Sequence, residues 1–324
     1  MKIFYRQLNM LALSALLLVN LNTGFAQPKA LRDVQRKYGL NPREALFSRV
    51  TTTPDDVLKM FRDAGMSPTE HPLTKAEKAI IVNAFAALTP LHQRVLKQHL
   101  KSISFLDNMP NTALTSPVTK DDSINLYHIT FRAGILHQKI SEWATEKELT
   151  CYENKDTSYR VSIQAGLMSA FTYVLLHEGT HVVDGSVHLI ATDTVTGKTL
   201  PGTFGEDLSK GIWANINTVA WPLKDSLVVK NRFRPGGRRF ATSEATEVYQ
   251  ALGNTPFVSL YATASWHEDL AELVTVYHLT QQLNQPFKVV VVKDGKQTGQ
   301  YEPMKNPLTD KRKKLLSLFY QVKN

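Results

Sequence analysis

The segment Leu176-His177-Glu178-Gly179-Thr180-His181 constrains this chain more than any other, because its spacing acquires physical meaning on an α-helix. Residues four apart on a helix lie one above the other, so His177 and His181 can each point a ring nitrogen at one metal-sized space. Glu178 is turned by about 100° from His177. That offset holds its carboxylate beside such a space, within reach of a water whose proton it can take as general base. The preceding run Ala170-Phe171-Thr172-Tyr173-Val174-Leu175-Leu176 contains no proline or glycine and is nearly continuously apolar, the pattern of a helix buried in a domain core. Polar side chains buried there without partners cost roughly 1 to 3 kcal/mol each. One Zn²⁺ ion answers the need of both histidines together. The plainer alternative, a hydrogen-bonded core pair, must find separate partners for all three side chains. The motif therefore points to a zinc hydrolase.

Two histidines underfill a catalytic zinc site, which ordinarily takes three protein ligands. A metzincin would carry Gly at 184 and His or Asp at 187; this chain has Asp184 and Val187, and His188 is one residue out of step. A better source is the segment Tyr261-Ala262-Thr263-Ala264-Ser265-Trp266-His267-Glu268-Asp269-Leu270-Ala271-Glu272. Glu268 and Glu272 share one face of its predicted helix, and Trp266, Leu270, Leu273, Val274 and Tyr277 form an apolar stripe on another. Glu268 can bind the metal. Glu272, one turn later, can accept a hydrogen bond from the outer nitrogen of a ligand histidine and fix its orientation. Ser265 to Glu268 also fits a capping box that would turn Glu268 back to the helix start. Glu244, Glu247 and Asp184 remain rival third ligands. Asp184 is alternatively a support behind the ligands or a solvent contact at the helix end. His267 and His278 read as ordinary helix-face histidines.

On these residues the chain resembles the gluzincin metallopeptidases, in particular the group that contains MtfA and anthrax lethal factor. The resemblance covers the HExxH helix and the segment from Tyr261 to about Tyr277. It implies a zincin-like catalytic domain, with Glu268 as third ligand from a later helix and Tyr261, seven residues before it, facing the catalytic water. It further implies hydrolysis of peptide bonds, with Glu178 as general base and Tyr261 as a donor to the developing oxyanion. Outside that role Tyr261 is a packed aromatic with a wet hydroxyl. The 87 residues from His181 to Glu268 require an inserted segment that folds back between the two helices.

The N-terminus reads as a secretory signal peptide over 1–26: Lys2 and Arg6, an apolar run from Leu8 to Val19, then Gly24 and Ala26 before the cleavage point. That run is too short for a membrane span, no second long apolar segment follows, and no cysteine succeeds it to carry a lipid. The expected product is an exported soluble protein, periplasmic or secreted. Removing Lys2 and Arg6 lowers the formal charge from +9 to +7. Arg232, Arg234, Arg238 and Arg239 around Pro235-Gly236-Gly237 offer either a basic surface for acidic partners or a solvated loop. Export and the lack of a recognition motif argue against nucleic acid. Cys151 is the only cysteine, so no intramolecular disulfide can form and stability must come from a core.

The element pattern predicts an α+β chain, predominantly helical. Helices are expected over 31–38, 54–64, 75–87 and 90–100, with a capping box at Thr74 and Glu77. Strands are expected over 103–106 and 124–132, the second bordering the active-site cleft. The metal helix should occupy about 166–184, a less regular region 185–239, and further helices 243–252 and 265–284. A hairpin turning at Asp294-Gly295 and a basic helix over about 308–322 complete the chain. The simplest division is a helical portion over 27–106 and a catalytic region over 107–324. The partner expected is a protein or peptide substrate. Two alternatives share the motif: a zinc-binding regulatory protein without turnover, and a zinc amidase acting on cell-wall material.

Overall fold

A computed structural model describes residues 29–118, 124–153, 156–220 and 227–321. The signal peptide expected over 1–26 lies outside them. The first half begins with α1 (Lys29–Lys37), α2 (Asp55–Asp63), a short strand β1 (Thr69–Glu70), α3 (Lys75–Ala86) and α4 (Pro90–His99). The Thr74 hydroxyl accepts from the Glu77 amide while the Glu77 carboxylate accepts from the Thr74 amide, so α3 starts on the capping box its sequence predicts. Thr89 caps α4, and Pro90 occupies the first turn, where its missing N–H costs nothing.

Strands β2 (Leu100–Asp107), β3 (Ala113–Pro117) and β4 (Tyr127–Arg132) join β1 in a sheet of order β1-β2-β4-β3. β2 and β4 are parallel and β3 runs antiparallel to β4. Both central strands are buried on their two faces, with Ile103, Phe105, Ile129 and Phe131 in the core. Their polar residues pair across the ladder, Ser102 with His128 and Ser104 with Thr130. β4 is therefore internal to the sheet and reaches the cleft through Tyr127 and Arg132 at its ends. The edge strand along the cleft is β3, whose mixed polar and small residues carry no strong strand pattern.

α5 (Ile140–Leu149), β5 (Tyr152–Glu153) and β6 (Tyr159–Gln164) lead to the central helix α6 (Ala170–Val187). Ser169 caps α6, and the helix ends at His188, which takes the left-handed conformation at φ 52°. Among its described residues the less regular region holds a short helix, α7 (Phe204–Ser209), and a 3₁₀ turn, Leu227–Lys230, and a two-residue strand, β7 (Phe240–Ala241), paired with β5, follows it. Then follow α8 (Ala245–Gly253), α9 (Trp266–Gln281), the strands β8 (Lys288–Lys293) and β9 (Lys296–Tyr301), and α10 (Pro307–Lys313). The expected C-terminal helix is thus shorter and continues as a 3₁₀ stretch, Lys314–Tyr320. β8 and β9 form the anticipated hairpin, with positive φ at Asp294 and Gly295, and β6 pairs with β8 to complete an antiparallel sheet.

The architecture is α+β with helix outweighing strand. α6 lies at its centre, against α4 on one flank, α9 on another and β3 across its cleft face, within one contiguous core that runs from Leu46 to Phe319. Among the described residues no single helix is long and apolar enough to cross a membrane.

Candidate metal centre

α6 and α9 pack against each other and bring three donor atoms together. His177 Nε2 lies 3.2 Å from His181 Nε2 and 3.0 Å from Glu268 Oε2, and His181 Nε2 lies 3.6 Å from the same oxygen. No other group of three His, Cys, Asp or Glu side chains among the described residues converges this closely. Two imidazole nitrogens and a carboxylate oxygen this close together are held either by shared protons or by a cation between them. This donor set fits a metal ion, and His177, His181 and Glu268 could hold one.

Electrostatics point the same way. Burial by itself would lower the His177 pKa, but the carboxylates of Glu268 and Glu272 outweigh it and carry the ring up to about 10. Burial would raise Glu268, but His177 and His181 hold it far below the usual carboxylate range. The cluster stabilises added positive charge.

Glu272 stands behind His177, with its Oε1 3.1 Å from the ring Nδ1. The approach is at hydrogen-bond distance, but neither atom has a well-directed partner. A hydrogen bond to Glu272 would place the proton on Nδ1 and leave Nε2 as the lone pair toward His181 and Glu268. Glu272 is itself fixed by the Ser259 hydroxyl at 2.6 Å and by Lys147 Nζ at 3.5 Å. Burial would raise its pKa; Lys147, His177 and Ser259 bring it down to about 2. Sequence reasoning missed Ser259 and Lys147, which reach the site only through tertiary packing.

From the opposite side, His92 on α4 supports α6. Thr180 donates to the Leu176 carbonyl, so its oxygen accepts from His92 Nε2–H at 3.0 Å, and His92 Nδ1 accepts from the Thr89 hydroxyl at 2.8 Å. Burial brings the His92 pKa down to about 3, which keeps this ring neutral and its tautomer fixed.

Glu178 faces away from the core, into a cleft under β3, where its Oε2 accepts from Thr115 Oγ1 at 2.6 Å. Two hollows meet at Glu178 and Tyr261. One, of about 550 Å³, extends past Arg132, Trp143 and Arg232; the other, of about 520 Å³, passes Leu114, His181 and Glu268. Along β3 the pairs Thr112 with Arg132 and Val118 with Leu126 carry ladder hydrogen bonds. Antiparallel alternation then turns the backbone groups of Ala113 and Thr115 toward the open edge. The cleft wall thus offers backbone donors and acceptors to an extended chain.

Tyr261 begins a short 3₁₀ turn, Tyr261–Thr263, just before α9. Its ring stacks on His177 at 5.7 Å, meets Phe233 edge-on at 4.9 Å and carries Lys147 Nζ 3.7 Å above its face. Burial and the nearby carboxylates, Glu268 foremost, raise its pKa, so the phenol keeps its proton and remains a donor. Arg234 ties this turn down through the carbonyls of Thr263 and Asn217.

The rivals are engaged elsewhere. Glu244 forms a two-point ion pair with Arg238, and Glu247 is exposed on α8. Asp184 lines the cleft beside His181, but its carboxylate accepts from the Ile190 amide and pairs with His267 Nδ1 at 2.6 Å. The Ser265 hydroxyl caps the Glu268 amide, while the Glu268 side chain turns to the histidines, so only half of the capping box forms. His278 bridges the Ala87 carbonyl and the Tyr320 hydroxyl. No protein-family model, curated protein or solved structure matches the chain, and its chemistry rests on the geometry above.

Proposed function

We propose that this chain is a zinc-dependent peptidase of the gluzincin type, with a zincin-like catalytic region, that hydrolyses peptide bonds with Glu178 as general base. The carrying observation is the convergence of His177, His181 and Glu268, with Glu178 one residue along α6 and turned into the open cleft. Zinc is favoured by the two-imidazole, one-carboxylate donor set, and when bound it supplies a Lewis acid that eases deprotonation of water and polarises a carbonyl. Thr115 occupies one oxygen of Glu178 and leaves the other for a proton. Glu178 takes that proton from the attacking water as the oxygen joins the carbonyl carbon. It returns the proton to the amide nitrogen as the C–N bond breaks. The protonated Tyr261 phenol donates to the oxyanion. The free edge of β3 holds the substrate extended, as an added strand. Export directed by residues 1–26, to the periplasm or beyond, belongs to the same proposal.

The test is Glu178→Gln, with zinc content and hydrolysis of a mixed peptide library measured on the same sample. Hydrolysis should fall by about 10²- to 10⁴-fold, with zinc retained. Undiminished hydrolysis in the zinc-loaded variant overturns the role of Glu178. A parent chain that binds zinc and cleaves no peptide overturns the peptidase reading. It then favours the amidase if cell-wall fragments are cleaved, and a binding or regulatory protein if nothing is.

A further inference from the structure

The hollow on the Arg132 side differs in character from the rest of the cleft. Trp143, Phe233 and Tyr261 form its apolar walls, and Arg132 and Arg232 bring two guanidinium groups to them. Arg132 has no side-chain hydrogen bond or ion pair among the described residues. Among the described residues Arg232 reaches only the Thr150 carbonyl, at 3.3 Å, and the Phe233 ring. Neither arginine has a carboxylate partner among them. Lys147 also lines the hollow but is committed to Glu272 and the Tyr261 ring. Apart from Glu178, the single carboxylate on the wall among the described residues is Glu146, which is exposed and accepts from Gln138 Nε2 at 2.6 Å. The neighbouring members of the same basic loop are spent otherwise, Arg234 on backbone carbonyls and Arg238 on Glu244. Two uncompensated guanidinium groups over aromatic walls suit an anion carried on a short apolar stem.

The position of the hollow sets its distance from the reacting bond. Thr115, the partner of Glu178, and Thr112, which lines the hollow and pairs with Arg132 across the ladder, are three residues apart in the chain. At a strand rise of about 3.3 Å per residue, this is roughly 10 Å, or three residues of an extended substrate. We propose that this hollow is a carboxylate-binding subsite: Arg132 and Arg232 receive a carboxylate of the substrate within about three residues of the bond that is cut. The inference rests on the peptidase reading for what the occupant is, while the charge and shape of the hollow stand apart from it. The carboxylate comes either from an Asp or Glu side chain or from the free C-terminus of a peptide.

Two measurements separate these sources and separate the subsite from the hydrolysis. In the first, the zinc-loaded full chain carrying Glu178→Gln binds fluorescein-labelled octapeptides that differ only in Glu or Gln at one central position, each with a free or amidated C-terminus. The carboxylate-bearing peptides should bind about tenfold more tightly than the Gln amide at low salt, and the advantage should shrink as salt rises. An advantage confined to the free-terminus peptides assigns the chain end, and one confined to the Glu peptides assigns the side chain. Adding Arg132→Gln with Arg232→Gln should bring the affinity ratio to near one. The Lys pair, Arg132→Lys with Arg232→Lys, should keep part of it, which separates lost charge from lost folding. Equal affinities in the parent background, or a ratio that survives the Gln pair, overturn the subsite.

In the second, the chain with Glu178 intact digests a mixed peptide library, and the new termini are read by mass spectrometry. Acidic residues or chain ends enriched at one position within three residues of the cut support the proposal. Cleavage with no such enrichment overturns it and leaves the peptidase reading standing. Carboxylate-dependent binding without any cleavage leaves the subsite standing and removes the peptidase reading.

Discussion

At the scale of single residues, Glu272 shows how a group behind the donor atoms can govern a site. It is 2% exposed, stands 3.1 Å from His177 Nδ1 and is itself held by Ser259 and Lys147. Glu272→Gln keeps the shape and removes the charge, so the His177 ring loses the partner that sets its tautomer and raises its basicity. Zinc affinity should fall by roughly 10- to 100-fold, measured by competition with a chromogenic chelator, with the circular dichroism spectrum unchanged. Unaltered affinity would show that Glu272 only fills space. The spacing of His177, Glu178 and His181, and of Glu268 and Glu272, was legible in the sequence because helical geometry relates residues three and four apart. Thr115 and Lys147 were not. They come from elements tens of residues away, and their side chains acquire meaning only once β3 and α5 are packed against α6. Ser259 is closer in sequence to Glu272, but it sits in an irregular turn that has no periodicity to read.

At the scale of elements, α6 does two jobs with different demands. Its ligand face must hold three polar side chains, and its other faces must let neighbours approach closely. Glycine serves the second demand at Gly185, where an added Cβ would lie 2.2 Å from the Tyr127 hydroxyl of β4 and 3.1 Å from the ring carbon that bears it. Helix propensity alone predicts that Gly185→Ala stabilises by about 1 kcal/mol. Packing predicts the opposite, since overpacking costs about 1 to 3 kcal/mol. With overlap this severe, packing should win, giving a net loss of about 1 kcal/mol in denaturant unfolding. Tyr127→Phe in the same chain should recover part of it, because it removes the nearest atom. A stabilised Gly185→Ala would show that Tyr127 simply swings aside. Most helices could be read from caps and apolar periodicity, including α3, α4 and α9. The edge strand β3 could not, because its sequence neither alternates cleanly nor forms an apolar run, and β4 looked like a border strand because Leu126, His128 and Thr130 interleave with larger residues. Ser102 and Ser104, across the ladder, satisfy those polar residues and let β4 lie inside.

At the scale of the whole molecule, the site depends on buried charge distributed across the core. Asp269, the neighbour of Glu268, accepts from Trp213 Nε1 at 2.8 Å and from Arg312 of α10 at 3.0 and 2.6 Å, so one buried carboxylate joins the irregular region, the ligand helix and the C-terminal helix. This is how the long segment between His181 and Glu268 folds back without loosening Glu268. Glu148 on α5 has no such counter-charge in direct contact among the described residues. Its carboxylate accepts from the Tyr249 hydroxyl at 2.6 Å, Lys147 helps it at longer range and Glu272 opposes it. Burial dominates, and its pKa rises from an ordinary 4.5 to about 7. The folded chain therefore binds a proton more tightly than the unfolded chain does. The stability Glu148 contributes is fully present below about pH 4.5 and is lost as pH rises through about 7. Glu148→Gln removes this titration while keeping an acceptor for Tyr249. Relative to the parent, the variant should gain stability between pH 5 and 8 by at most about 3 kcal/mol, read from urea unfolding at fixed zinc concentration. A stability difference that stays flat across that range would mean that Glu148 is already ionised in the folded chain, and that Lys147 supports both it and Glu272.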